Sequence, residues 1–253
     1  MTGPDRVAVA GLRGEVRVQP TPEAAAEDCA VWLARVCAAG LTNADRFTIA
    51  LSGGSMAHLL FPRLAGDRWR SRFEWAGWRV YFSDERACPP DDENSNYYQA
   101  RVAVLDRVPI APAHVYRMRA DEPDLDRAAD EYSSLLSETL PPSATGAPRL
   151  ECILLGLGEN GHTASLFPGT SALEVTDRWA TRGRADYPPY DRITLTFPTL
   201  NACAAVAFLV TGASKGAALR ATAAGTTPAS RVNPLDGSLT WFLDAAAASA
   251  AGD

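Results

Sequence analysis

The chain has 253 residues, a formal net charge of −6, 47% apolar residues and 21% charged residues. Those values exclude collagen-like and disordered classes and allow one large domain or two small ones. The acidic balance argues against a nucleic-acid partner, whose binding domains are usually basic, but not against a local basic pocket for an anion.

In chain order, EVRVQ (15–19) alternates like a strand. Thr21-Pro22-Glu23 carries a cap, a proline at the first helical position and an acid in the first turn. The helix it opens is expected to run to about Ala39, with Gly40 as its stop. RFTIAL (46–51) is a buried strand, SMAHLLFPRLA (55–65) a short helix and WRVYFS (78–83) the next strand. Asp84-Glu85-Arg86 opens a proline- and acid-rich loop before a helix from about Ser95 to Leu105. HVYRMR (114–119) reads as a strand, 124–139 as an amphipathic helix and LECILL (150–155) as a buried strand. RITLTF (192–197), AAVAFLV (204–210) and SLTWFL (238–243) are further strands. A helix containing Lys215 follows the second of them, and an alanine-rich helix ends the chain. Apolar strands alternating with helices predict an α/β fold: a mostly parallel sheet with helices on both faces. A single domain over 1–253 is expected, with an irregular segment near 168–192.

No apolar run reaches the ~20 residues of a membrane span, so no membrane partner is expected. The opening stretch MTGPDRVAVAGLRGEV has no basic segment followed by an apolar one, which argues against a secretory leader. Cys29, Cys37, Cys88, Cys152 and Cys203 are scattered and form no C-x-x-C. They predict neither a disulfide framework nor a zinc site, and fit buried filler in a reducing cytoplasm. Lys215 is the only lysine among 24 basic residues. It reads either as a place where a compact ammonium matters or as a chance survivor on a surface.

Ligands of open α/β sheets bind outside the carboxyl ends of the strands. Four strand ends here carry unusual residues. Ser52-Gly53-Gly54-Ser55 is either a backbone cradle for an anion or a tight turn with Ser55 as helix cap. Asp84-Glu85-Arg86 can supply a base, a clamp and an anion contact, or be a solvated charged loop. Gly156-x-Gly158-x-x-Gly161 matches the dinucleotide fingerprint, and Asp177 lies about 20 residues beyond it. Only HTASLF separates this stretch from Pro168-Gly169, too little for the long helix that fingerprint opens, so dinucleotide binding is disfavoured. Of the three histidines, His58 and His114 read as structural. His162 sits at the glycine-rich strand end, where an imidazole can serve as base and then acid; its bland alternative is a helix-start histidine bonded to backbone. Lys215 and Arg192 complete a set able to hold a phosphate monoester. The chain has no G-x-S-x-G elbow, no P-loop and no H-E-x-x-H.

Five blocks carry a family likeness: LSGGS (51–55), DERACPPDDENSNY (84–97), LGLGENGHTASLFPG (155–169), RITLTFPTLN (192–201) and TGASK (211–215). In this order they resemble the motif blocks of 6-phosphogluconolactonases, relatives of glucosamine-6-phosphate deaminases and of sugar-sensing domains in some transcription regulators. The resemblance implies a Rossmann-like sheet of that type. It also implies cytoplasmic hydrolysis of 6-phosphoglucono-δ-lactone to 6-phosphogluconate, the second step of the oxidative pentose phosphate pathway, without cofactor or metal. By the same resemblance His162 is the general base, and Arg86 orients substrate or steadies the oxyanion. Ser52, Gly53, Gly54, Ser55, Arg192 and Lys215 hold the phosphate. Asp84 and Glu85 hold sugar hydroxyls or position His162 and Arg86. Asn96, Gly158 and Asn160 join the substrate-binding set. The partner is thus a small sugar-phosphate lactone; the oligomeric state stays open, and a monomer is compatible with it.

Two residues depart from the family pattern. Cys88 stands where an aliphatic residue is usual, and Asn160 where Asp is common before Gly-His, which puts a direct His–Asp dyad in doubt. The deaminase branch carries an acid five residues after the motif histidine; here that position is the apolar Phe167. The sensor branch carries a DNA-binding segment ahead of this domain; here about 45 residues precede the first core strand and read as one strand and one helix.

Overall fold

The computed structural model describes residues 9–252; the first half of the opening stretch read above for a leader lies outside them. Among the described residues no helix is long and apolar enough to cross a membrane. Strand β1 (Glu15–Gln19) leads into α1 (Pro22–Asn43), capped by Thr21, whose hydroxyl accepts from the Ala24 amide at 3.2 Å. The helix runs through Gly40 to Asn43 rather than stopping at the glycine. A Cβ at Gly40 would lie 3.0 Å from both Glu151 Oε1 and Phe47 Cδ2, so this glycine serves close packing, not termination. After β2 (Phe47–Leu51) come a π-helical turn (Met56–Leu60), α2 (Phe61–Leu64), α3 (Asp67–Arg70) and β3 (Trp78–Phe82). Then follow β4 (Asp84–Arg86), α4 (Asn96–Ala103), α5 (Leu125–Thr139), β5 (Cys152–Leu155), β6 (Ala180–Arg184) and β7 (Asp191–Leu195). The chain closes with α6 (Phe197–Ala202), β8 (Ala205–Val210), α7 (Gly216–Ala223), β9 (Ser238–Asp244) and α8 (Ala245–Gly252).

Six strands form a parallel sheet in the order β1-β9-β8-β5-β2-β3. Every residue of β2, β5 and β8 is buried, as a strand covered on both faces must be. Phe242 of β9 meets Trp32 of α1 edge-on at 5.7 Å, while its neighbour Trp241, alternating to the other face, stacks on Phe208 of β8 at 4.0 Å.

A second, antiparallel sheet (β4-β7-β6) was not foreseen. Asp84-Glu85-Arg86 is its first strand rather than a loop. β6 falls inside the segment expected to be irregular: ATRGR lacks large apolar residues and is buried through Ala180, Thr181 and Gly183. HVYRMR, conversely, is not a strand. It makes one isolated parallel bridge, Val80 to Val115, and Tyr116 N–H donates to Val80 O at 2.7 Å.

Ser83 joins the two sheets. Its N–H donates to Leu51 O at 2.8 Å, inside the parallel sheet, and its C=O accepts from Leu195 N–H at 2.8 Å, inside the antiparallel one. At the opposite end of β9, a Cβ on Gly237 would sit 2.3 Å from Cys203 O and 2.7 Å from Ala204 O. Gly237→Ala is therefore expected to destabilise the fold by about 1–3 kcal/mol through overpacking, read as a lower urea midpoint; an unchanged midpoint would show that the β8–β9 junction can give way.

Candidate active site

β2 and β5 are neighbours, but the chain leaves β2 toward β3 on one side and β5 toward β8 on the other. That reversal opens a crevice at their carboxyl ends, where α/β sheets bind ligands. A cavity of about 470 Å³ lies there. The loop after β2 (52–55) and the loop after β5 (156–162) both line it, with residues of β4, β7, the 185–190 hairpin and Lys215.

Strand alternation decides how Asp84-Glu85-Arg86 is used. β4 pairs antiparallel with β7, Asp84 opposite Thr194, Glu85 opposite Ile193 and Arg86 opposite Arg192. Asp84, Arg86 and Arg192 therefore share one face and line the cavity, while Glu85 points to the other. Glu85 is 3% exposed. Its carboxylate accepts from the amides of Arg86 (2.7 Å), Asn96 (2.7 Å) and Tyr97 (2.8 Å) and from the Ser95 hydroxyl (2.9 Å). Burial pushes its pKa up against these four donors. With Ser95 Oγ accepting from Tyr98 N–H at 3.1 Å, Glu85 satisfies the first amides of α4. It holds the helix and faces away from the cavity, unlike the place among sugar hydroxyls or beside His162 that the resemblance implied for it.

Asn96 is also away from the cavity wall, contrary to its placement among the binding residues. Its Nδ2 donates to Asp84 O at 2.9 Å and to Asp84 Oδ1 at 3.1 Å, and its Oδ1 fills the space a Cβ on Gly53 would occupy. Asp84 also accepts from Ser165 Oγ at 2.7 Å, so its carboxylate is held from two sides. Ser52 lines the cavity, but its hydroxyl lies 2.7 Å from Leu154 O and 2.5 Å from Ser83 Oγ, tying strand ends together. Ser55 makes no side-chain cap, and Gly54 has φ of +65°, which a residue with a Cβ rarely adopts. Among the described residues no hydrogen bond engages the Gly53 or Gly54 amide.

Arg192 is 1% exposed, and its Nε and Nη1 are buried without a partner. Its guanidinium lies 5.4 Å from the Tyr187 ring centroid. Burial, then the Arg86 charge, lowers its pKa. Arg86 donates to Asn94 O at 2.6 Å, and its Nε too is buried and unpartnered. Among the described residues no ion pair involves Arg86, Arg192 or Lys215. Three cations without ion-pair partners face one cavity, an arrangement an anion would relieve, because a buried charge without a counter-charge is costly.

His162 sits beside them. Gly158 N–H donates to His162 O at 2.9 Å, closing the loop, and a Cβ on Gly158 would strike the imidazole at 2.1 Å. Asn160 Oδ1 accepts from the His162 amide at 3.1 Å and lies 2.6 Å from Nδ1. Asn160 Nδ2 donates to Asp186 Oδ2 at 2.9 Å. Phe167, 2% exposed, stacks on the imidazole at 3.9 Å. Burial pushes the His162 pKa down to about 4; Lys215 and Arg192 add to this, and Asp84 and Asp186 oppose it. The ring is thus neutral at neutral pH.

Sequence reasoning missed Asp186 and Tyr187, which also line the cavity. They lie in a proline-rich connection without periodicity, and only its closure by Ala185 N–H on Tyr190 O at 2.7 Å folds it over the crevice.

A doubly wound α/β protein with a cation-lined, imidazole-bearing crevice is the class that fold and site define. Residues 20–241 match the family model described as glucosamine-6-phosphate isomerases/6-phosphogluconolactonase, and the chain belongs to that family. It is 34% identical over 252 residues to a probable 6-phosphogluconolactonase 1 of Arabidopsis thaliana, covering 94% of this chain and 93% of that one. A probable chloroplastic 6-phosphogluconolactonase 3 of Oryza sativa subsp. indica is 35% identical over 237 residues, covering 88% of this chain and 72% of that one. The 6-phosphogluconolactonase structure from Trypanosoma brucei superposes with a TM-score of 0.81 at 26% identity, over 94% of this chain and 98% of that one.

Replacing Glu85 by Ala strands three buried amides, and buried unsatisfied groups cost about 1–3 kcal/mol each. Glu85→Ala is expected to lower unfolding free energy by at least ~2 kcal/mol in urea melts; full stability with lost activity would return Glu85 to the catalytic set.

Proposed function

We propose that this chain hydrolyses 6-phosphoglucono-δ-lactone to 6-phosphogluconate, with His162 as general base. The observation that carries this reading is the pairing of a neutral imidazole with cations that have no ion-pair partner across one cavity. Arg192 and Lys215 take the phosphate, with the free amides of Gly53 and Gly54 beside them. Arg86 steadies the carbonyl oxygen as charge develops. Asp84, fixed by Asn96 and Ser165, meets sugar hydroxyls.

Nδ1 carries a proton toward Asn160 Oδ1, so Nε2 keeps its lone pair. Nε2 takes a proton from water as the water oxygen bonds to the lactone carbonyl carbon. The tetrahedral intermediate collapses by breaking the bond to the ring oxygen, and the imidazolium returns the proton to that oxygen. One water is added and the enzyme is regenerated. A lactone is an activated ester, so no covalent nucleophile is needed.

Phe167 argues against the deaminase alternative: a buried phenyl ring face-on to His162 cannot relay a proton. A small anionic ester, rather than nucleic acid or a membrane, suits an acidic chain whose unpaired cations converge in a cleft. Five free cysteines, four of them buried, fit a cytoplasmic setting.

The test is opening of freshly generated 6-phosphogluconolactone above its spontaneous rate. Acceleration by the native chain is expected, with a loss of about 10²–10⁴-fold in His162→Ala. Arg192→Gln is expected to raise KM more than about tenfold, as loss of a charged hydrogen bond implies. No acceleration by the native chain overturns the proposal.

The cations that would bind phosphate also hold His162 below its ordinary range, so neutralising them makes the base stronger. Followed by NMR, the His162 titration midpoint should begin near 4 and rise when inorganic phosphate saturates the site. Protonation removes the base, so activity falls as pH drops through that midpoint. A midpoint indifferent to phosphate would separate the anion site from the imidazole.

A further inference from the structure

We propose that Asp186 is a positioning residue for His162, acting through the Asn160 side chain, so that the carboxylate serving the base stands one residue removed from it. The inference rests on the reading of His162 as base.

Asn160 has one orientation that satisfies both its neighbours. Its Oδ1 faces two groups of His162, the amide at 3.1 Å and Nδ1 at 2.6 Å, and its Nδ2 faces Asp186 Oδ2 at 2.9 Å. Turned over, the amide NH₂ would confront the His162 N–H, and its carbonyl would confront a carboxylate. Asp186 and the His162 amide therefore fix the Asn160 side chain from its two ends, and that side chain fixes the tautomer, with hydrogen on Nδ1 and the lone pair on Nε2. The carboxylate also polarises the amide, making Oδ1 a better acceptor for the imidazolium that forms when Nε2 takes the proton.

Asp186 has no other hydrogen bond or ion pair among the described residues. The 185–190 hairpin, closed by Ala185 N–H on Tyr190 O, sets it over the loop that bears Asn160. The other charges acting on the imidazole are Asp84 from β4, Arg192 from β7 and Lys215 after β8. Asp84 is already engaged by Ser165 and Asn96, which leaves Asp186 as the carboxylate in hydrogen-bonded connection with Nδ1.

The relay has a direction, and a swap reads it. Asp186→Asn keeps the shape and removes the charge; it is expected to lower kcat roughly tenfold, as loss of an orienting carboxylate does, with KM within about twofold. Asn160→Asp alone puts two carboxylates face to face and is expected to lose at least as much. The double variant Asn160→Asp/Asp186→Asn places one carboxylate directly on Nδ1 and is expected to recover to within about threefold of the native kcat. Asp186 is exposed, so these changes leave the core intact.

Imidazole ¹⁵N shifts at neutral pH give a readout that does not need the reaction. The native chain should show His162 as the Nδ1–H tautomer, and Asp186→Asn should show a measurable admixture of the Nε2–H form, because only the His162 amide then opposes turning the Asn160 side chain over. An Asp186→Asn protein with native kcat and a native tautomer overturns the relay while leaving the lactonase reading intact. A tautomer change in Asp186→Asn, beside a native chain that opens no lactone, overturns the lactonase reading and leaves the relay standing.

Discussion

The site depends on one residue's two backbone hydrogen bonds. Ser83 gives its N–H to the parallel sheet and its C=O to the antiparallel one, so the chain leaves β3 and enters β4 without a loop. This continuity fixes the phase of the next three residues. Asp84 and Arg86 fall on the crevice side and Glu85 on the far side, where it takes up the first amides of α4. Pairing with β7 then sets Arg192 opposite Arg86. A shift of one residue would turn both cavity side chains of β4 outward and bring the helix-capping carboxylate in.

The cost of this arrangement is electrostatic. Arg192 is almost wholly buried with two unpartnered guanidinium nitrogens, and its neighbours across the strand pair and cavity are also cations. Such a cluster opposes folding unless something else stabilises it. Here the second sheet, one contiguous apolar core and the Glu85–α4 junction hold the guanidinium in place before any anion arrives. The crevice is therefore preorganised, so a guest that neutralises these cations would bind with little cost in ordering them.

Much of this was legible in the sequence. All six parallel strands were read as strands: β2, β5 and β8 as buried apolar runs, which a sheet covered on both faces demands, and β1 as an alternating one. The glycine-rich ends of β2 and β5 marked the crevice. What stayed hidden was decided by long-range pairing. ATRGR became a strand because its small residues allow close approach; a Cβ on Gly183 would meet Ser165 O at 2.9 Å. HVYRMR has a strand's alternation but pairs only through Val115, so its pattern had no ladder to serve. Glu85 was grouped with Asp84 among the substrate-holding or positioning acids because a tripeptide does not reveal which side chain alternates inward. Asp186 gave no local signal, since its role exists only where the hairpin crosses the loop bearing Asn160.

The substitution of Asn at 160 acquires meaning in this setting. A carboxylate at that position would bond Nδ1 directly, but it would also meet Asp186 within hydrogen-bond distance, and two carboxylates that close cannot both remain ionised. The amide removes that conflict. It accepts from the imidazole at one end and donates to the carboxylate at the other, so the negative charge moves outward to the rim, where water solvates it. The imidazole keeps its tautomer without a second buried acid in the crevice. The cavity interior is then left to Asp84 and the three cations, a balance that favours an anionic guest.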